Sequence, residues 1–236
     1  MSALAEALRA RHPDLAVEIV ADSKGNTAGS TLLRCGNEAI VVMSMPGPIP
    51  DDAGLWLRAA HTWPEAKTVA KRHRGHLIVS VLGKGEPLLA SARLNTAVIG
   101  ALIATVPECS AVVWGSKVAR AASLWREMSS LSFAPFSDDL FTLWIDILPF
   151  RSDAGIGAVT MGLSAFAGRE IEFETVKLDL PTLIDKVVGL GIYLVEHGAA
   201  VKDGDTFGAS EQERFTVRHK TSERFEGLPV FFCAGE

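Results

Sequence analysis

The most apolar stretch of the chain, Pro87 to Val106, decides what the rest must do. It is nearly long enough to cross a bilayer, but Ser91, Arg93, Asn95 and Thr96 fall inside it, and a spanning helix would bury a charge at mid-depth. The stretch is therefore expected as a core helix from Glu86 to Val106, covered on most of its surface. Just before it, His76 to Gly83 is a nearly continuous apolar run, expected as a central strand covered on both faces. Two such elements in succession need a large wrapping of strands and helices. A chain of 236 residues, 48% hydrophobic and 22% charged, can supply it and is not disordered.

Around this centre the pattern alternates between strand and helix. Leu4 and Leu8 sit one turn apart in an opening helix stopped by Pro13. Leu15–Asp22 is rich in β-branched residues and reads as a strand. STLLRC and EAIVVMSM flank Gly36–Asn37, a two-residue hairpin signal, and Pro46, Pro48 and Pro50 end the second of them by removing ladder donors. Helices follow from Asp51, with a break near His61 and a second helix to Arg72. Thr62 and Glu65 have capping-box spacing there. Ala111–Trp114 reads as a short buried strand and Ser116–Ser129 as an amphipathic helix.

The second half reopens in the same order. LFTLWIDILPF reads as a strand closed by Pro149, and GAVTMGLSAFAG as a Gly-rich strand. REIEFETVKLD alternates, with Ile171, Phe173 and Thr175 on one face and Glu170, Glu172 and Glu174 on the other. Asp179 and Pro181 open a helix that ends at His197 before Gly198. ERFTVRHK and LPVFFC close the chain as strands. The expectation is an α+β fold over 1–236, one compact domain with a mixed, mainly antiparallel sheet flanked by helices, built as two pseudo-repeated βββαβ halves.

Composition excludes some functions. The formal net charge is −5, which disfavours binding to nucleic acid or an anionic membrane. Three scattered cysteines, Cys35, Cys109 and Cys233, do not make a disulfide framework. The N-terminal stretch carries Glu6, Arg9 and Arg11 and is not a secretory signal. A cytoplasmic location follows as the expectation. The six histidines lack zinc spacing, so neither a metal nor another cofactor is expected. Gly162–Phe166 lacks the second glycine of a nucleophile elbow, Lys84 is not followed by Ser or Thr as in a phosphate loop, and Thr160 stands where a dinucleotide loop needs glycine.

The candidate sites each carry two readings. Glu170, Glu172 and Glu174 place three carboxylates along one strand face about 6–7 Å apart, as a hard-cation or acid/base site or as an ordinary solvent face that could meet a basic partner. Asp203-Gly-Asp-Thr206 opens like a calcium loop, but Arg214 stands where the closing glutamate belongs, and a simple Asp–Gly turn explains Asp203 and Asp205. Trp114-Gly-Ser116 lies at a strand end, where a helix N-terminus could take an anion or Ser116 could cap a helix. His61 and His76 lie where helix ends meet the apolar strand, and with Trp114, Ser116, Asp203 and Asp205 they outline a candidate ligand cleft.

One ordered set of motifs runs through the chain: Pro46-Gly-Pro-Ile-Pro50, His61-Thr-Trp-Pro-Glu-Ala66, His76-Leu-Ile-Val-Ser-Val81, Ala111-Val-Val-Trp-Gly115, Thr160-Met-Gly-Leu163 with Glu170-Ile-Glu172, and Asp203-Gly-Asp-Thr-Phe-Gly208. Over about residues 38–233 this order resembles the bacterial domain-of-unknown-function family DUF4261. That family carries no established activity, so the resemblance transfers no catalytic residue. It implies a bacterial cytoplasmic protein in the company of accessory and immunity modules of secretion and conflict loci. The first expectation is a non-enzymatic module that neutralises another protein, such as a basic effector, by surface occlusion through Glu170, Glu172 and Glu174. The alternatives are an enzyme with a cleft near Trp114, Ser116, His76 and the Glu170/Glu172 pair, and a subunit that self-associates through an open sheet edge. The loop Ser23–Ser30 and the segment Phe133–Asp139 match nothing in that set and are further candidate surfaces.

Overall fold

The structure is a computed structural model that describes residues 2–22, 30–51, 54–83, 88–152, 155–210, 213–225 and 227–235. The Ser23–Ser30 loop falls almost wholly outside the described residues. The fold is α+β with mixed, mostly antiparallel sheets. It divides into two compact units, residues 1–135 and 136–236.

The first unit opens with α1 (Ser2–Arg11), followed by the strands β1 (Val17–Asp22), β2 (Ser30–Cys35) and β3 (Glu38–Met45). Then come α2 (Leu55–Ala59), α3 (Ala66–Arg72), β4 (His76–Leu82) and α4 (Leu88–Thr105). The sheet order is β1-β2-β3-β4, antiparallel throughout. Gly36 takes φ 57 and lets Cys35 pair with Glu38 across the Gly36–Asn37 turn. β3 stops at Met45, where the prolines begin. One face of the sheet packs on α1 and α4. Leu4 and Leu8 meet Leu94, Val98 and Leu102 over Leu33, Ile40 and Val42. Ten residues of α4 are buried, so its hydropathy is that of a core helix.

Three expectations fail in this unit. β4 is the edge of its sheet and not its centre: its residues are half-buried apart from Leu82, which is exposed. Its continuous apolar pattern arises because Leu77, Val79 and Val81 pack into the core while Ile78 and Leu82 lie on the other face. The Thr62–Glu65 capping box does not form; Glu65 is the residue before α3 and makes no side-chain cap, while the Thr62 hydroxyl lies 3.5 Å from the Ala59 carbonyl. Finally, Ser116–Ser129 is not one helix. β5 (Ala111–Trp114) turns back into β6 (Val118–Ala121), and only then come α5 (Ala122–Met128) and a 3-10 turn at Ser129–Leu131.

The second unit starts with α6 (Asp138–Trp144), where a strand was expected. Leu140, Phe141, Leu143 and Trp144 are all buried on this short helix. A brief apolar run fits a buried helix turn as well as a strand, and Asp138 and Asp139 in the first turn favour the helix. β7 (Asp146–Ser152) runs straight through Pro149, which is tolerated because β7 is an edge strand. β8 (Gly155–Met161), the short α7 (Ser164–Ala167), β9 (Glu170–Thr175) and α8 (Leu180–His197) follow. α8 matches its expected bounds: the Asp179 carboxylate accepts the Thr182 N–H at 3.0 Å, Pro181 lies in the first turn, and Gly198 at φ 67 ends it.

The chain then makes β10 (Thr206–Ser210), β11 (Glu213–Thr221) and β12 (Pro229–Gly235). The order is β10-β11-β12-β9-β8-β7, and β12 pairs with β9 in parallel. After its opening helix, each half thus carries a three-stranded meander followed by helix. After the helix they differ: β4 returns antiparallel beside β3, while the second unit adds a hairpin and inserts β12 next to β9.

Candidate functional site

By register, Glu170, Glu172 and Glu174 share a face of the second sheet with Val159, Phe232 and Val230, and Ile171 and Phe173 point the other way. The alternation is as expected, but the assignment of the acidic face to solvent is overturned. Glu170 is 0% and Glu172 3% exposed. Only Glu174 is partly accessible, with Arg224 3.6 Å away. An acidic strip for a basic partner to dock on does not exist there.

Glu170 has a task that explains its burial. Its carboxylate accepts the Gly162 N–H (2.9 Å), the Ser164 N–H (3.2 Å) and the Ser164 hydroxyl (2.7 Å) on Oε1. On Oε2 it accepts the Leu163 N–H (3.0 Å) and the Thr160 hydroxyl (2.8 Å). The Thr160 hydroxyl in turn accepts the Ile171 N–H at 2.8 Å. The first N–H groups of any helix lack partners, and the residue preceding α7 is Leu163, whose side chain has no acceptor to give. Glu170 supplies that acceptor from the next strand. The sequence signal was present in Gly162-Leu-Ser164, a helix start without a local cap.

Glu172 is different. Its Oε2 is buried and accepts no hydrogen bond among the described residues. Its strand neighbours on the same face are Val159 and Phe232. The Phe150 ring lies across Gly157, so close that a methyl group on that glycine would collide with it. Two cations sit on the aromatic rings of this face: Lys220 Nζ is 3.6 Å from the Phe232 ring centre and the Arg224 guanidinium carbon 4.5 Å from that of Phe150.

The residues of the expected cleft fall in different units, and most have local tasks. His61 is exposed in the turn after α2. His76 begins β4 and donates from Nδ1 to the Gly47 carbonyl at 2.8 Å. Trp114 lies 5.6 Å from Trp125, ring centre to ring centre. Ser116 caps no helix: it follows Gly115 in a tight turn in which both residues have positive φ, 55 and 58, and Lys117 N–H returns to the Trp114 carbonyl at 3.0 Å. In the second unit, Asp203 Oδ1 accepts the His219 N–H at 2.7 Å and Asp205 Oδ2 the Lys202 N–H at 2.7 Å, with Gly204 at φ 87 between them. These carboxylates hold a turn. In the Phe133–Asp139 segment, Phe133 packs edge-on to His12 and Phe136 stacks on Trp144.

Among the described residues no group of three His, Cys, Asp or Glu side chains is placed to hold a metal ion. The thiols of Cys35 and Cys109 are pushed above the ordinary range by burial and then by Glu38 and Glu108 respectively; burial alone pushes Cys233 far higher.

The surface that composition did not announce is the outer face of the first sheet. Cross-strand pairs place Leu32 beside Val41, Met43 beside Ile78, and Ala39 beside Leu82, all on the side away from α1 and α4. Met43, Met45 and Leu82 are exposed, Leu82 at 58%. The signal was the unbroken apolar run of β4, an edge strand with greasy residues on both faces.

No curated protein and no solved structure matches the chain. Residues 159–230, which hold the Glu170 turn, the acidic strand and the Asp203 turn, match the family model of a domain of unknown function, DUF4261, the family that the motif order resembles.

Proposed function

We propose that the chain is a non-enzymatic bacterial protein-binding module, of the accessory or immunity kind, that occludes a partner protein with the outer face of its first sheet. The observation that carries this reading is the exposed apolar strip of Met43, Met45 and Leu82, continued by half-buried Val41 and Ile78 on the same face. Apolar side chains gathered on one sheet face suit a protein partner, and methionine adapts to an irregular surface. The binding face moves from the acidic strand to this sheet because Glu170 and Glu172 are buried. The local tasks of His76, Ser116, Asp203 and Asp205 favour binding over catalysis.

The test compares the wild type with Met43→Glu/Ile78→Glu, both shown to be folded by circular dichroism. Partners retained from host extract by the wild type are identified by mass spectrometry, and the purified partner is then titrated against both proteins. The expected loss in the variant is tenfold or more, about 1.4 kcal/mol. Equal affinity for the two folded proteins refutes this face as the docking surface.

A further inference from the structure

We propose that Glu172 anchors a primary alkylammonium group of a ligand on the β9–β12 face of the second sheet. This goes beyond the docking reading and rests on different residues. Glu172 is 3% exposed, and its Oε2 is buried without a hydrogen bond among the described residues. A buried carboxylate oxygen left unpaired costs free energy that a bound cation would return. The neighbouring acid shows the contrast: Glu170, one pleat away on the same face, has five donors around its two oxygens. Polar satisfaction therefore fails at one residue of this strand and not along all of it.

The surroundings select the class of ligand. The chain's own cations here are engaged elsewhere: Lys220 on the Phe232 ring, and Arg224 on the Phe150 ring and at 3.6 Å from Glu174. Among the described residues no three metal-ligating side chains converge, so a divalent ion would lack its ligands, whereas an ammonium needs one carboxylate and tolerates aromatic neighbours. Val159 and Phe232 flank Glu172 by register and would enclose the methylenes of a slender chain. Because Oε2 is buried, a ligand reaches it only when neighbouring side chains move aside, a smaller displacement for a slender ammonium tip than for a folded surface. Two sources share this chemistry, a free alkyl diamine and a lysine side chain of a peptide.

The experiment titrates the full chain with 1,4-diaminobutane in one arm and with N-acetyl-lysine methylamide in the other. Both are followed by calorimetry and by amide chemical shifts, to about 10 mM, the range of a single-contact affinity. Binding by either probe is expected, with shifts at Glu172 and Phe232. Preference for the diamine assigns the site to small polyamines, and preference for the lysine amide assigns it to a peptide. Glu172→Gln, nearly the same shape without the charge, should weaken binding at least tenfold, while Glu174→Gln should change it less than threefold. No binding of either probe to the wild type overturns the proposal. So does undiminished binding to a folded Glu172→Gln protein, or shifts confined to other residues. The shift map is read on the wild type and decides the question even where a variant fails to fold.

Discussion

Replacing Glu170 by Gln should damage the second unit severely, although it alters a single atom group. The carboxylate is wholly buried and accepts from three backbone N–H groups and two hydroxyls. Gln keeps one accepting oxygen and turns the other into an NH2 donor. If the NH2 takes the Oε2 position, the Leu163 N–H and Thr160 hydroxyl lose their acceptor. If it takes the Oε1 position, Gly162 and Ser164 lose theirs. Each buried donor left unmatched costs roughly 1–3 kcal/mol, and removing one member of a buried charged network costs about 3–5 kcal/mol. The expected loss for Glu170→Gln is therefore about 3–5 kcal/mol, with Glu170→Ala at or above the top of that range. Thr160→Val removes one donor to Glu170 and the acceptor of the Ile171 N–H, and should cost about 1–3 kcal/mol. Because the two residues share a bond, the double variant should fall short of the sum by at least about 0.5 kcal/mol. Urea unfolding measures this, with Trp144 as the reporter: its ring stacks on Phe166 of α7 at 5.4 Å, beside the turn that Glu170 holds. A Glu170→Gln protein within about 1 kcal/mol of wild type, or strict additivity with Thr160→Val, would refute the capping account.

Other outcomes are expected from the same structure. Ser116→Gly should stabilise the first unit by about 0.5–1 kcal/mol, since a side chain at φ 58 is strained and glycine is not; a loss on thermal unfolding would show that the serine side chain compensates. Burial, followed by the Arg11 charge, holds the His12 imidazole below its ordinary 6.5. Its neutral form is therefore the folded one. Its contribution to stability is complete above pH 6.5 and is lost as pH falls below that value, so His12→Gln should flatten the decline that wild type shows on acidification. An unchanged slope would contradict this. Cys233 is wholly buried with its thiol pushed far up, so a disulfide reagent at pH 8 should leave it unmodified in the folded protein and react with it fully in urea. Labelling of Cys233 under native conditions, read by peptide mass, would place that strand outside the core.

What the sequence discloses here depends on whether the deciding partner is local. The Gly36–Asn37 hairpin, the proline stop after Met45, and α8 with its Asp179 cap and Gly198 exit are written in adjacent residues, and all are found. α6 was missed because Leu140–Trp144 is too short for its period to separate helix from strand. The centrality of β4 was misjudged because apolar residues on both faces mean full cover only if something lies on the second face. At the acidic strand the period correctly separated two faces. It could not say which face was wet, because the donors that hold Glu170 lie on the Thr160–Ser164 turn, and Glu172 Oε2 is buried with no donor among the described residues.

The placement of β12 carries a consequence for the order in which the second unit can form. β7, β8 and β9 pair as successive neighbours, with only the short α7 connection between β8 and β9. β10, β11 and β12 likewise pair with their neighbours in sequence. The seam between these two ribbons is the parallel pairing of Val230–Ala234 with Glu170–Glu174, reached only after α8 and both later strands have been laid down. Closing so long a chain segment costs entropy before any seam contact repays it. The ribbons can therefore assemble early while their junction waits. Until the seam closes, the strand edge of Phe231 and Cys233 and that of Ile171 and Phe173 are open at once, and it is in this interval that the unit is most exposed to pairing with the wrong strand.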